Sequence, residues 1–505
     1  MIQLQRLFWL SYLFFLALPG ARATTNLRLP AIFGDHMVLQ ADMPVRIWGW
    51  AAAGHNVTVG FRDAVYSSTA GPEGKWSVQL GACKSGGPYE MSIGDGEGRT
   101  ILHDIFVGDV WLASGQSNME FGIQTDSRAA QGIAGATDSL IRFFYVPMAR
   151  SAEPLDEIGQ AAQEADGKWV VCSPSVMASK WAWHGFSAVG YYFGRELLET
   201  LNVPVGIIFS GIGASAAQAY VPQPVLAADT QLNRIYLQPY LNSPRSKEVI
   251  NSGFSFEKVT RPFLLYNAII YPLRHISLRG ICWYQGEANR KERESYTRLT
   301  QVLIQSWREM FGHYDLPFYY VQVAPFFLDK DDPVLADYAF FREAQEKVSA
   351  LNNTAMITTV DVGEAKNLHP HNKKPIGIRL ARTALNRTYG RLDTVWRGPQ
   401  YHHMEVEGKK IRLFFEPGTT SGGLKTDDGG APGFFSVAGA DQQFYPAEAT
   451  IEGDQILVWS AKVRRPVAVR YAFTNYAITT LHNGAGWPVI PFRTDNWVEP
   501  APKTN

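Results

Sequence analysis

The 505-residue sequence carries 47 Lys and Arg against 47 Asp and Glu, and 46% of its residues are hydrophobic. At roughly 100–200 residues per domain it is too long for one simple domain, and its balanced charge lacks the basic footprint of a nucleic-acid binder. With 13% aromatic residues it can bury large cores, which excludes disorder; three cysteines exclude a disulfide scaffold and allow at most one bridge among Cys83, Cys172 and Cys282.

Residues 1–23 read as a signal peptide. Arg6 gives the positive start, Leu7 to Leu18 an apolar stretch of twelve, and Ala21-Arg22-Ala23 a small-x-small cleavage site. Twelve apolar residues are too few for a bilayer-spanning helix and suit a signal peptide. The expectation is an exported protein, periplasmic or extracellular (lysosomal or secreted in a eukaryotic host), with no stable membrane insertion after cleavage.

Residues 24–104 alternate with period two. Val57 to Phe61, Trp76 to Leu80 and Tyr89 to Ile93 are strand-like and are separated by Gly71-Pro72 and Gly86-Gly87-Pro88. This pattern predicts a small antiparallel β-sandwich. In residues 105–391 strands and helices take turns. Phe106 to Ala113 reads as a buried strand, and Phe186 to Leu201 as a helix feeding the strand Val205 to Phe209. Leu264 to Leu273 reads as a helix feeding Gly280 to Tyr284. Tyr296, Leu299, Leu303, Trp307 and Met310 share one helix face before the strand Phe318 to Val323. A helix from Tyr338 to Leu351 leads to the strand Met356 to Val360, and Pro375 opens a last helix that Gly390 stops. Such alternation predicts a mostly parallel sheet covered on both faces, an α/β/α core. Residues 392–505 return to strand patterns at Ile411 to Phe415, Gln455 to Trp459 and Val467 to Tyr471, a second β region.

In an open parallel sheet ligands bind outside the carboxyl ends of the strands. The loops there hold Ser117 in Ser114-Gly115-Gln116-Ser117-Asn118-Met119, Gly213 in Ser210-Gly211-Ile212-Gly213-Ala214-Ser215, Gln285 and Glu287 in Trp283 to Asn289, and Asp361, Glu364 and His369 between Asp361 and Pro370. A serine hydroxyl becomes a nucleophile when an imidazole takes its proton. The oxyanion that follows needs fixed N–H donors, which a glycine backbone or an amide side chain supplies. The set fits a serine esterase. His369 and His371 flanking Pro370, and the adjacent His402-His403, lack zinc-motif spacing, and no C-x-x-C occurs; neither metal nor cofactor is expected. Trp181, Trp183 and Tyr220 are candidates to line a sugar site.

The block Gly108 to Met119 closely resembles the nucleophile block of the sialate O-acetylesterase family, a branch of the SGNH hydrolases. Trp283 to Asn289 is similar to that family's second block, and Leu368 to Pro375 with Gly377 to Ala381 to its histidine block. Val469-Arg470-Tyr471 and Pro491 to Asp495 also resemble family sequence, so the likeness runs from about Leu29 to Asp495. It implies an SGNH-type three-layer core with flanking β regions. It implies Ser117 as nucleophile and His369 as base, with an oxyanion hole from the N–H groups of Ser117 and Gly213 and from Gln285. The substrate implied is an O-acetylated sugar, sialic acid or else a polysaccharide such as xylan; a non-catalytic glycan-binding protein is the reading from another class. Two departures stand out. Gly213 is followed by Ala214 where the family usually has a second glycine, and the aspartate many SGNH hydrolases place three residues before the histidine is here Lys366. A lysine cannot stabilise an imidazolium, so the orienting group is expected to be Glu287 or, failing that, Asp361, Glu364 or a backbone carbonyl.

Overall fold

A computed structural model describes residues 26–159, 166–179, 183–250, 253–327 and 336–499. The expected signal peptide and Trp181 lie outside them. Seven strands build the central sheet: β1 Arg99–Gly115, β2 Ile141–Tyr145, β3 Trp169–Val171, β4 Val205–Gly211, β5 Gly280–Tyr284, β6 Phe318–Val321 and β7 Thr354–Ile357. Their order across the sheet is β7-β6-β5-β1-β4-β2-β3. Neighbours run parallel, except that β3 is antiparallel to β2.

The long first strand serves two regions. Its first half pairs antiparallel with Gly86–Gly94, and Val38–Gln40 runs parallel along Phe106 to Gly108. Its second half is flanked by β4 and β5. From Ile105 to Gly115 every residue is buried, the continuous burial of a parallel strand covered on both faces. The expected division between residues 104 and 105 falls inside this strand. The remaining N-terminal strands include the hairpin partners Asn56–Phe61 and Ala64–Thr69 and a separate pair, Val45–Trp50 with Lys75–Leu80.

Alternate residues of the sheet feed two cores. Trp111, Ala113, Ile207 and Phe209 pack with Val189, Phe193, Leu380 and Ala384. Val110, Leu112 and Ile208 belong to the other cluster, with Leu299, Leu303 and Trp307. Five helices matter for the site: α1 Ser117–Glu120, α2 Ala188–Leu201, α3 Glu294–Met310, α4 Asp337–Glu346 and α5 Lys374–Arg387. The Ser187 hydroxyl caps α2 by accepting from the Gly190 N–H, and α5 carries Pro375 in its first turn, where the missing N–H is harmless. The helix expected from Leu264 to Leu273 is instead a wide turn at Tyr266–Ile270 and a tight one at Tyr271–Leu273. Pro272 has no N–H to donate back four residues, which breaks an α-helix at that point.

At the C-terminus two four-stranded sheets share one core that includes Ile411, Leu413, Val437, Val458 and Val469. The first is Tyr401–Glu407, Lys410–Phe415, Gln455–Trp459 and Glu448–Glu452; the second is Phe444–Pro446, Phe435–Ala438, Ala468–Tyr471 and Phe492–Arg493. Cys83, Cys172 and Cys282 are all free thiols, so no bridge forms among them. Among the described residues no helix is long and apolar enough to cross a membrane.

Candidate active site

Because the chain leaves β1 toward β2 on one side and leaves the neighbouring β5 toward β6 on the other, the topology reverses between them, and the carboxyl ends of these strands are where such a sheet binds ligands. Gly115 ends β1 with φ +139°, and a Cβ there would sit 2.2 Å from the Tyr284 carbonyl oxygen. Only glycine lets β1 and β5 approach so closely while turning the chain into α1. Gly115→Ala is therefore expected to lose about 3 kcal/mol or more of stability, read as a lower denaturant midpoint with unchanged slope.

Ser117 opens α1 and is buried. His369 reaches it on the loop between β7 and α5, and the bonds that hold that loop include four around the histidine. The His369 N–H donates to Asn367 Oδ1 at 3.0 Å, Asn118 Nδ2 to the Leu368 carbonyl at 3.1 Å, the His371 N–H to Glu364 Oε1 at 2.6 Å, and the Lys373 N–H to Asp126 Oδ2 at 2.9 Å. The result is a hydrogen bond of 2.9 Å between His369 Nε2 and Ser117 Oγ, 252 residues apart in sequence. Trp183, half-buried, stands edge-on to the imidazole with ring centroids 4.7 Å apart. Tyr220 instead lies fully buried, its hydroxyl donating to the Gly115 carbonyl at 2.9 Å. Burial, then the Lys373 ammonium and His371, push the His369 pKa down to about 4. The ring is thus neutral, and able to accept a proton, from weakly acidic pH upward.

None of the carboxylates expected to orient His369 does so. Glu287 is fully buried and accepts from Asn118 Nδ2 at 2.5 Å. Asp361 is taken by a two-pronged bond with Arg379, at 2.8 and 2.5 Å. Glu364 serves His371 Nδ1 at 2.9 Å and Asn367 Nδ2 at 3.0 Å. Among the described residues no carboxylate or carbonyl meets His369 Nδ1, so serine and histidine stand as a dyad whose ring is fixed by its loop and by Trp183. Gln285 is also placed elsewhere. Its Nε2 donates inward to Asn289 Oδ1 at 2.8 Å, Gln116 Oε1 at 3.1 Å and the Ser215 carbonyl at 3.2 Å. A fully buried amide must satisfy its donors locally, and these bonds leave it bracing the loops rather than facing Ser117.

Gly213 does lie beside the serine: a Cβ on it would be 3.6 Å from Ser117 Cβ. Its N–H, however, donates to Glu120 Oε2 at 2.6 Å. The next residue, Ala214, takes φ +61°, the conformation a second glycine would adopt freely. The backbone turn is kept, with a left-handed alanine. Ala214→Gly is expected to stabilise the protein by about 0.5–1 kcal/mol, checked by thermal unfolding; a destabilised variant would mean that the methyl group packs usefully.

Sequence reasoning missed Asn118. Its Nδ2 holds Glu287 and Leu368, and its Oδ1 accepts from Lys373 Nζ at 2.6 Å. Lys373 is fully buried, and burial lowers its ammonium pKa to about 7, while burial raises that of Glu287. One amide next to Ser117 thus ties together a buried lysine, a buried carboxyl and the loop that carries His369.

Residues 107–386, more than half the chain, match the family described as carbohydrate esterase, sialic acid-specific acetylesterase. The chain is 27% identical to the sialate O-acetylesterase of Mus musculus, with 93% of this chain and 94% of that protein covered. It is likewise 27% identical to the Homo sapiens sialate O-acetylesterase, over 77% of this chain and 76% of that one. Its fold matches that of a carbohydrate acetylesterase from Xanthomonas citri with a TM-score of 0.81 and 34% identity, covering 93% of this chain and all of that chain. Fold and site therefore define a carboxylic ester hydrolase. The chain belongs to the sialic acid-specific acetylesterase family of carbohydrate esterases.

Proposed function

We propose that the protein is an exported serine esterase that removes O-acetyl groups from sialic acids, with Ser117 and His369 as its catalytic pair on an SGNH-type three-layer core. The observation that carries the mechanism is the 2.9 Å contact between Ser117 Oγ and His369 Nε2 at the carboxyl end of β1. Family membership supports an O-acetylated sugar as substrate. Export rests on the N-terminal segment alone.

In this mechanism Ser117 gives its proton to His369 Nε2 as Oγ bonds to the acetyl carbonyl carbon. The carbonyl electron pair moves onto oxygen, which the N–H groups of Ser117 and Gly213 receive. Collapse breaks the bond to the sugar oxygen, which leaves with the proton from Nε2. Water then attacks the acetyl-enzyme, giving a proton to His369 Nε2; collapse breaks the bond to Ser117 Oγ, which takes that proton back as acetic acid leaves and ionises to acetate.

The base must be neutral, and its pKa is lowered to about 4. On the acid side the value of kcat/KM is therefore expected to fall as pH drops through about 4, rather than near the unperturbed histidine value of about 6.5. A profile on 4-nitrophenyl acetate with its acid midpoint near 6.5 would contradict this environment for His369. The greater identity to a carbohydrate acetylesterase keeps a polysaccharide ester as the second reading. Rates on O-acetylated sialic acid and on acetylated xylan separate the two: the first reading expects the sialate ester to be the better substrate, and faster xylan deacetylation would overturn it.

A further inference from the structure

Glu120 closes α1 one helical turn after Ser117, and it is the group that holds the Gly213 N–H, with Oε2 2.6 Å from the nitrogen. A Cβ on Gly213 would lie 3.0 Å from Oε2 and 3.6 Å from Ser117 Cβ, so the carboxyl sits at the edge of the space where an oxyanion forms. Glu120 is 6% exposed. Its other oxygen accepts from the Tyr145 hydroxyl at 3.2 Å, and among the described residues no lysine, arginine or histidine pairs with it. The Ser117 N–H, by contrast, meets no acceptor among them. One donor of the pair expected to receive the oxyanion is free, and the other is committed to a carboxyl.

We propose that Glu120 is a positioning residue that controls the oxyanion hole, withholding the Gly213 N–H when its carboxyl is charged and yielding it when the carboxyl is neutral. The inference rests on the serine esterase reading above. A carboxylate accepts an N–H far more strongly than a neutral carboxyl does, and a fixed negative charge there opposes the charge that develops on the substrate oxygen. The groups facing Glu120 come from three other elements: Tyr145 at the end of β2, Asp166 before β3, and Tyr220 on the turn after β4. None of them is a cation. Burial raises the Glu120 pKa to about 7, offset in part by the Gly213 and Tyr145 bonds and reinforced by Asp166. The change of state therefore falls near neutral pH. As pH rises through about 7 the carboxyl releases its proton to solvent, and the donor is withdrawn.

The test is the alkaline side of the pH–rate profile of the full chain on 4-nitrophenyl acetate, from pH 5 to 9.5, with the uncatalysed rate subtracted. Wild type should lose kcat about tenfold per pH unit above its midpoint near 7, whereas Glu120→Gln, which cannot ionise, should hold a plateau from pH 6 to pH 9. Should Glu120→Gln fail to fold, Tyr145→Phe removes a donor to the charged form and should move the alkaline midpoint to higher pH. Lys373 also titrates near 7, but it bonds Asn118 and none of the Glu120 partners. An alkaline fall that survives in Glu120→Gln belongs elsewhere and overturns the proposal, as does a wild-type plateau to pH 9 or an unmoved midpoint in Tyr145→Phe. Ser117→Ala separates the two levels. If it is inactive and Glu120→Gln tracks wild type, only this proposal fails; if it is active, the esterase reading fails first.

Discussion

Ser117→Ala is expected to lower kcat by about 10⁵–10⁶-fold and to leave the fold almost unchanged. The large loss follows because in the proposed mechanism the hydroxyl oxygen bonds to the substrate, and in serine hydrolases removal of the nucleophile alone costs about as much as removal of the whole unit. The small structural effect follows from geometry. Among the described residues the Oγ bonds only His369 Nε2, and the serine backbone, which begins α1, is untouched. His369→Ala should be nearly as damaging, and the double variant no worse than either alone, since the two side chains act in one step. Equal unfolding midpoints for wild type and Ser117→Ala, measured beside the kinetics, separate lost chemistry from lost structure.

Asn118→Ala carries the second large effect, on stability and rate together. Its removal leaves Lys373 Nζ without its Oδ1 acceptor, Glu287 Oε1 without its donor, and the Leu368 carbonyl without the Nδ2 bond. Among the described residues Glu287 Oε2 already has no hydrogen-bond partner. Stranding buried ionisable groups in this way costs about 3–5 kcal/mol. The loop that presents His369 also loses its tether to the residue beside the nucleophile, and a shift of about 1 Å in a reacting group costs on the order of 10²-fold in rate. The expected outcome is a clearly lower urea midpoint and a kcat lowered about 10²-fold with KM little changed. An Asn118→Ala protein as stable as wild type would show that Lys373 and Glu287 are satisfied without the amide.

The parts of the site that could be read in the sequence are those set by local pattern. A buried apolar run ending in Gly115-Gln116-Ser117 fixes a strand end with a polar loop beyond it, and the helix that starts at Pro375 fixes where the His369 loop must stop. The parts that could not be read depend on side-chain direction across long separations. Gln285 and Glu287 follow β5, as expected, but the short turn Glu287–Asn289 directs the amide inward and the carboxyl toward Asn118. No periodicity reports such a direction. The partners of Asn118 lie between 169 and 255 residues away, so its role exists only in the folded chain. Glu120 sits in the same short block as Ser117, yet its bond to Gly213 depends on β4 lying beside β1. At the level of the fold, the strand and helix alternation named β1, β4, β5, β6 and β7 of the central sheet but not β2 or β3. It did not show that β1 runs on for seventeen residues to serve the N-terminal strands as well. Nor did it foresee that Pro272 would break the helix expected before β5.

In the proposed mechanism Ser117 is made reactive by His369, and stoichiometric labelling with a fluorophosphonate tests that pairing. One adduct per chain, located by mass spectrometry on the peptide containing Ser117 and formed in step with loss of esterase activity, is the predicted result, with labelling abolished in Ser117→Ala and strongly slowed in His369→Ala. Full activity in a chain modified at Ser117, or labelling that proceeds at an undiminished rate without His369, would contradict it.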